Sequence, residues 1–274
     1  MRLFVANVGV NTADARSRGL KSPVFDEGRF EFVPIKEPSR FAGSTHVRRY
    51  RDLPCWTREG VALTTFLPKD VRDFAAHDDP DFVGLTYGDI ASSRAATLTE
   101  LEPGDHLWFL ARLWSYRDGG YTGPSAFHFV GALDVTDNLA LQDGLEGVDT
   151  AVRARAERNA HWLRYRSGDS APSRILAGDV KTSARFERAI QVTPDVAGLL
   201  FGGDRHVDGT YRRNGVVLRN KCGTARTFET FGSITRTVQW FLDSTREEDR
   251  PFLDALGRLR RGAGAASPPL GRPS

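Results

Sequence analysis

The sequence predicts a mixed α/β (α+β) fold, a central mixed β-sheet flanked by helices. Three observations lead there. Apolar, β-prone runs at 2–10, 106–114 and 127–135 are bounded by turn residues and read as strands. The stretch TAVRARAERNAHWLRY, about 150–165, contains neither Gly nor Pro and reads as a helix. No linker divides the chain, whose 274 residues are 40% hydrophobic, enough to build a core. The organisation expected is one body over residues 1–256 and a basic, disordered tail over 257–274.

Each element has a local reason. RLFVANVGV (2–10) is a buried first strand whose companions Asn7, Asn11 and Thr12 make its end polar. Within SPVFDEGRFEFVPIKEP (22–38), Asp26-Glu27-Gly28 separates two short apolar runs, a hairpin signal. After it, Phe30, Phe32 and Pro34 alternate with Arg29, Glu31 and Val33. Residues 68–90 open like a short helix that breaks at Asp79-Pro80, because proline steers its predecessor out of the helical region. Pro103-Gly104-Asp105 is a turn, and the apolar run after it suits a strand covered on both faces. In 127–135, Phe127, Phe129 and Leu133 face one way and His128, Val130 and Asp134 the other. Short helices are expected over 182–189, 234–246 and 250–260. The final GAGAASPPLGRPS is of low complexity.

Charge and composition exclude several classes. The formal charge is +3 and the pI about 9.0, yet Arg258, Arg260, Arg261 and Arg272 lie in the last seventeen residues, which hold no acid. Setting those four aside leaves 34 basic against 35 acidic residues, a body without the excess positive charge of a wholesale nucleic-acid coat. No apolar run approaches the roughly 18 residues that span a bilayer. The opening residues lack signal-peptide order, so the expectation is a soluble, cytoplasmic protein with no membrane partner. Two cysteines, Cys55 and Cys222, make neither a disulfide framework nor a structural zinc site by themselves.

The densest polar cluster is His77, Asp78, Asp79 and Asp81, followed by Tyr87 and Asp89. An imidazole among carboxylates can hold a divalent metal or act as a general base with an orienting acid. The plainer reading is a solvated turn in which the aspartates bond local amides. On a continuous helix, Arg158, His161, Trp162 and Tyr165 share one face. That face suits a phosphate and a stacked base, or else ordinary core packing with a snorkelling arginine. Gly178–Ser183 (GDVKTS) lacks the order of a phosphate loop and reads as a strand-to-helix turn capped by Thr182 or Ser183. The run His46, Arg48, Arg49, Tyr50, Arg51 follows a nucleic-acid backbone or forms a charged edge. With 33 Arg against 5 Lys, such a run carries little weight alone.

Four segments taken in order resemble the nucleotide modification associated domain family, third type. They are SPVFDEGRFEFVPIKEP, HDDPDFVGLTYGD, LEPGDHLWFLARLW with FHFVGALDV, and NAHWLR with GDVKTSARFERAIQV. The resemblance runs from residue 2 to about 195, extending toward 245. It implies a protein of bacterial, archaeal or phage systems that make or handle modified bases. The partner implied is a nucleotide or nucleic acid, DNA ahead of RNA, with other modification-system proteins. No cofactor or metal is specified by it. By position, the polar residues it marks are Asp26, Glu31, His77, Asp78, Asp81, Tyr87, Asp89, Asn159, His161, Arg164, Lys181, Ser183 and Arg185. Ala184 stands where the family pattern carries an arginine.

Two functional readings follow. As an enzyme, His77 is general base or metal ligand with Asp78, Asp81 or Asp89 orienting it. Tyr87, Asn159, His161, Arg164, Lys181, Ser183 and Arg185 then hold the nucleotide. As a reader, the segments around 103–135 resemble part of a PUA-like fold, a partial barrel in which Trp108, Trp114, Tyr116 and Tyr121 grip a flipped base without chemistry, although Trp108 and Trp114 read more readily as core.

Overall fold

The computed structural model describes residues 1–10, 19–38, 40–42, 48–91, 95–203, 210–213, 216–220, 228–231 and 238–269. Asn11, Thr12, His46, Cys222 and Arg272, and positions 234–237 of the expected helix, lie outside them. A large mixed sheet organises the chain, with four α-helices among the described residues.

Thirteen strands are described: β1 (Arg2–Asn7), β2 (Ser22–Val24), β3 (Ile35–Lys36), β4 (Ala76–His77), β5 (Thr86–Ile90), β6 (His106–Arg117), β7 (Gly120–Ala140), β8 (Ser173–Gly178), β9 (Ala184–Gln191), β10 (Thr210–Arg213), β11 (Val216–Asn220), β12 (Phe228–Phe231) and β13 (Val238–Asp243). The eight-stranded sheet runs β13-β1-β6-β7-β8-β5, with β2 also on β6 and β9 also on β7. β1 lies parallel to β6 and antiparallel to β13. The sheet is open: no closed barrel forms among the described residues, and of the two expected architectures the central mixed sheet is the one present. β10–β12 make a separate three-stranded sheet, and β3 pairs with β4.

The apolar runs of β1 and β6 are covered on both faces. Leu3, Val5, Trp108 and Leu110 join Phe129 and Phe186 beneath α3 (Pro194–Leu200) and α4 (Arg250–Ala263). Phe4, Ala6, Leu107 and Phe109 point the other way, toward Phe30, Phe32, Phe82 and Tyr87. A third cluster gathers Tyr50, Leu63, Phe66 and Trp114 under the 3-10 turns of residues 50–71. A small fourth one seats Trp162 against Leu141 and Ile175.

Several local expectations give way to tertiary contacts. The single helix over 150–165 is two helices, α1 (Thr150–Ala156) and α2 (Ala160–Arg166), because Asn159 leaves the helical path to cap α2. Arg158 therefore falls between the helices and shares no helical face with His161. The 68–78 stretch holds only a 3-10 turn, Lys69–Val71, followed by β4. Where a helix was expected over 182–189, residues 184–191 form β9, because their backbone pairs with β7. Residues 238–243 form β13 by pairing with β1. GDVKTS is thus a strand-to-strand turn, in which the Asp179 carboxylate accepts from the amides of Lys181 and Thr182. The boundary at 256 falls inside α4, which runs to Ala263, and Ala265 then bridges Phe186. The turn at 26–28 is present, with Gly28 at φ +82° and Val24 bridging Phe30.

Candidate functional site

Three separated stretches bring a buried polar cluster together. Glu37 follows β3, His77 ends β4, Asp79 lies between β4 and β5, and Asn159, His161 and Arg164 belong to α2 and its cap. The β3–β4 pairing sets Ile35 opposite His77 and so delivers Glu37 beside the imidazole. His77 Nδ1 lies 2.9 Å from Glu37 Oε2, while Arg164 Nε donates to Glu37 Oε1. Burial alone would raise the Glu37 carboxyl, but its bonds to His77 and Arg164 prevail and hold it below the usual range. A carboxylate only accepts, so Nδ1 carries the proton and Nε2 keeps its lone pair.

Asn159 ties the second half of the cluster. Its Nδ2 donates to Asp79 Oδ1 at 2.8 Å and to Thr86 Oγ1 at 3.2 Å, and its Oδ1 accepts from His161 N at 2.9 Å. Asp79 Oδ1 also accepts from Gly88 N at 2.9 Å. Gly88 is required there: a Cβ would stand 2.7 Å from Asn159 Oδ1 and 2.8 Å from His161 Cδ2. The His77 and His161 rings meet edge-on, 4.9 Å between centroids. One donor atom each from His77, Asp79 and His161 lies within 4.8 Å of the others. Burial presses Asp79 toward its protonated form, with Asp89 and Asp78 adding to it, against the pull of Gly88 and Asn159. Burial likewise disfavours the imidazolium of His77 and of His161.

The remaining acids sit around this centre. Asp81 is buried, accepts from Val83 N at 3.0 Å and faces Arg158 Nε at 3.4 Å. Asp78 pairs with Arg48 at 2.6 Å, and burial with the neighbouring Asp81 pushes it up to about 6 despite that arginine. Tyr87 donates to Asp89 at 3.3 Å. Two concavities meet at Asp78 and Arg48. One is lined by Phe32, Trp56, Phe82 and Asp81, the other by Glu37, Arg158 and Leu163.

A family model described as Nucleotide modification associated domain 3 matches residues 2–198. The chain belongs to that family. The matched span contains every member of the cluster, from Glu37 to Arg164. No curated protein and no solved structure matches the chain.

Of the residues that the family resemblance marked, the structure joins His77, Asn159, His161 and Arg164 directly and rings them with Asp78, Asp81, Tyr87 and Asp89. It takes the other five elsewhere. Lys181 is exposed on the β8–β9 turn, and Ser183 Oγ accepts from Asp134 N. Arg185 is buried between Phe30 and Trp56, its guanidinium 4.0 and 4.9 Å from the ring centres, and burial lowers it to about 10. Glu31 is fully buried and accepts from the amides of Trp56 and Thr57, whereas Asp26 is a surface partner of Arg117.

Of the four aromatic residues offered as walls for a base, Trp108 and Trp114 are core residues, the plainer reading of their apolar runs, and the two tyrosines are packed as well. Trp108 meets Phe129 and Phe186 edge-on, and Trp114 belongs to the third core cluster. Tyr116 and Tyr121 meet each other edge-on, and the Tyr121 hydroxyl donates to Lys21 O and Phe66 O. Sequence reasoning left two participants out of its site: Asp79, noted only as one of the acids beside His77, and Glu37. The only local signal of Glu37 is its place before Pro38, in an extended segment.

Proposed function

We propose that this nucleotide modification associated domain is an enzyme acting on the base of a nucleotide or nucleic acid within a modified-base system. One observation carries the reading. Glu37, His77, Asp79, Asn159 and His161 converge in a buried cluster although Glu37 and Asn159 are more than a hundred residues apart in the chain. Buried polar groups are costly unless they are paired or used, and a reader that only stacks a base has little need of two imidazoles and two carboxylates. His77, oriented by Glu37 through Nδ1, presents an Nε2 lone pair, the arrangement either of a general base with its orienting carboxylate or of a metal-ligating imidazole. Beside the cluster, a small concavity lined by Phe32, Trp56, Phe82 and Arg48 joins aromatic and charged side chains.

Mass spectrometry of nucleosides from DNA, RNA and the free pool tests this, comparing intact, deleted and His77→Ala strains of the source cell. The expected result is a modified nucleoside present in the first strain and absent from both others, with the variant still accumulating as folded protein. The fraction in which it disappears identifies the substrate. An unchanged nucleoside profile in the deletion strain refutes the enzyme reading.

A further inference from the structure

Within the polar cluster, three side chains are set up for more than proton transfer. One donor atom from each of His77, Asp79 and His161 lies within 4.8 Å of the other two, and all three residues are buried. Ligands held about 2.0–2.2 Å from one tetrahedral ion stand roughly 3–3.5 Å apart. Rotating the side-chain tips inward by about an ångström closes that difference.

The surrounding contacts leave the right atoms free. Glu37 engages His77 through Nδ1, so Nε2 is the nitrogen left for a ligand. A carboxylate on the outer nitrogen is the usual way a metal-binding imidazole is oriented. Gly88 N and Asn159 Nδ2 both bind Asp79 Oδ1, and Oδ2 makes no hydrogen bond among the described residues. Neither ring nitrogen of His161 makes one either, among the described residues. Asn159 positions two of the three donors at once, holding Asp79 with its amide nitrogen and capping the helix of His161 with its oxygen. Arg164, the nearby cation, is engaged by Glu37.

We propose that His77, Asp79 and His161 bind one first-row divalent transition-metal ion, leaving the remaining coordination positions to water or a nucleotide oxygen. Two imidazoles and one carboxylate are a donor set shared by catalytic zinc and non-haem ferrous sites. Magnesium and calcium take oxygen ligands and are poorly served by it. The assignment stands on donor geometry and does not rest on the base-modification reading.

Cobalt(II) titration of the full chain after chelator treatment tests it. The expected result is saturation at one equivalent with visible d–d absorption, displaced by zinc(II). Affinity is expected to fall about 100-fold or more in His161→Ala and in Asp79→Asn. His128→Leu, at a buried histidine elsewhere, leaves it unchanged. Should a variant lose its far-UV circular dichroism, histidine side-chain NMR of the unaltered chain decides, because zinc(II) is expected to move the signals of two of the six histidines, His77 and His161. Absence of saturable binding, movement of other histidines instead, or full affinity in both folded variants overturns the site. Metal analysis of chain purified anaerobically from the source cell separates zinc from iron, and either one retained at one equivalent upholds it. None of these readouts depends on nucleoside chemistry, so failure here is distinguishable from failure of the enzyme reading.

Discussion

Replacing Gly88 by alanine puts a methyl group where the cluster is already full. Gly88 does not occupy the left-handed region, so the backbone accepts the substitution and the effect is steric. The new Cβ would stand 2.7 Å from Asn159 Oδ1, 2.8 Å from His161 Cδ2 and 2.9 Å from His161 Cβ. Overpacking of this kind costs about 1–3 kcal/mol. If Asn159 yields, its 2.8 Å bond to Asp79 is lost inside the protein, adding about 1–3 kcal/mol. The reduced freedom of the unfolded chain returns only about 0.4–1 kcal/mol, so the expected net loss is about 1–5 kcal/mol. Gly257→Ala is the control. It lies in α4 with its nearest neighbour, Arg261 Nη1, at 3.7 Å, and should gain about 0.5–1 kcal/mol. Urea unfolding followed by circular dichroism and fluorescence measures both. A Gly88→Ala protein within about 0.5 kcal/mol of its parent would refute the packing argument and the role given to Asn159.

Two further predictions concern groups away from the cluster. Burial lowers the His128 imidazole from 6.5 to about 4. Above the ordinary value both states are neutral; as pH falls toward 4 the unfolded chain takes up the proton first, so stability is lost over that window, by up to about 3 kcal/mol. His128→Leu should flatten the decline relative to its parent between about pH 7 and pH 4.5, and identical slopes in denaturant titrations would contradict this. The Cys55 thiol is pushed up to about 11, by burial first and then by Glu31, to which it donates at 3.0 Å. In a Cys222→Ser background it should resist a thiol reagent at about pH 8 until urea unfolds the chain; reaction at the rate of a free thiol under native conditions would show the site to be open.

Much of the sheet was legible in the sequence because its signal is local. An apolar run such as HLWFLARLW must be covered on both faces wherever it lies, and a Gly-containing turn reverses the chain wherever a positive φ is needed, as at Gly28. The helices were less legible. Residues 150–165 have helical composition throughout, but Asn159 gains more by bonding Asp79 and Thr86 and capping α2 than by continuing the helix. ARFERAIQ and VQWFLD became strands because β7 and β1 offered them unpaired backbone edges, which overrides modest propensity.

The candidate site divides in the same way. By itself the sequence determined which residue types were on hand: the density of acids around His77, the Asn159/His161/Arg164 segment, and the family to which their order points. Tertiary structure alone decided which of them meet. It set Glu37 on His77 through the β3–β4 register, turned Asp79 rather than Asp78 or Asp81 toward His161, and drew Arg185 and Ser183 into packing roles. The physical reason is range: periodicity and turn chemistry act over a few residues, whereas a polar cluster is assembled by strand pairing and packing between segments that share nothing along the chain.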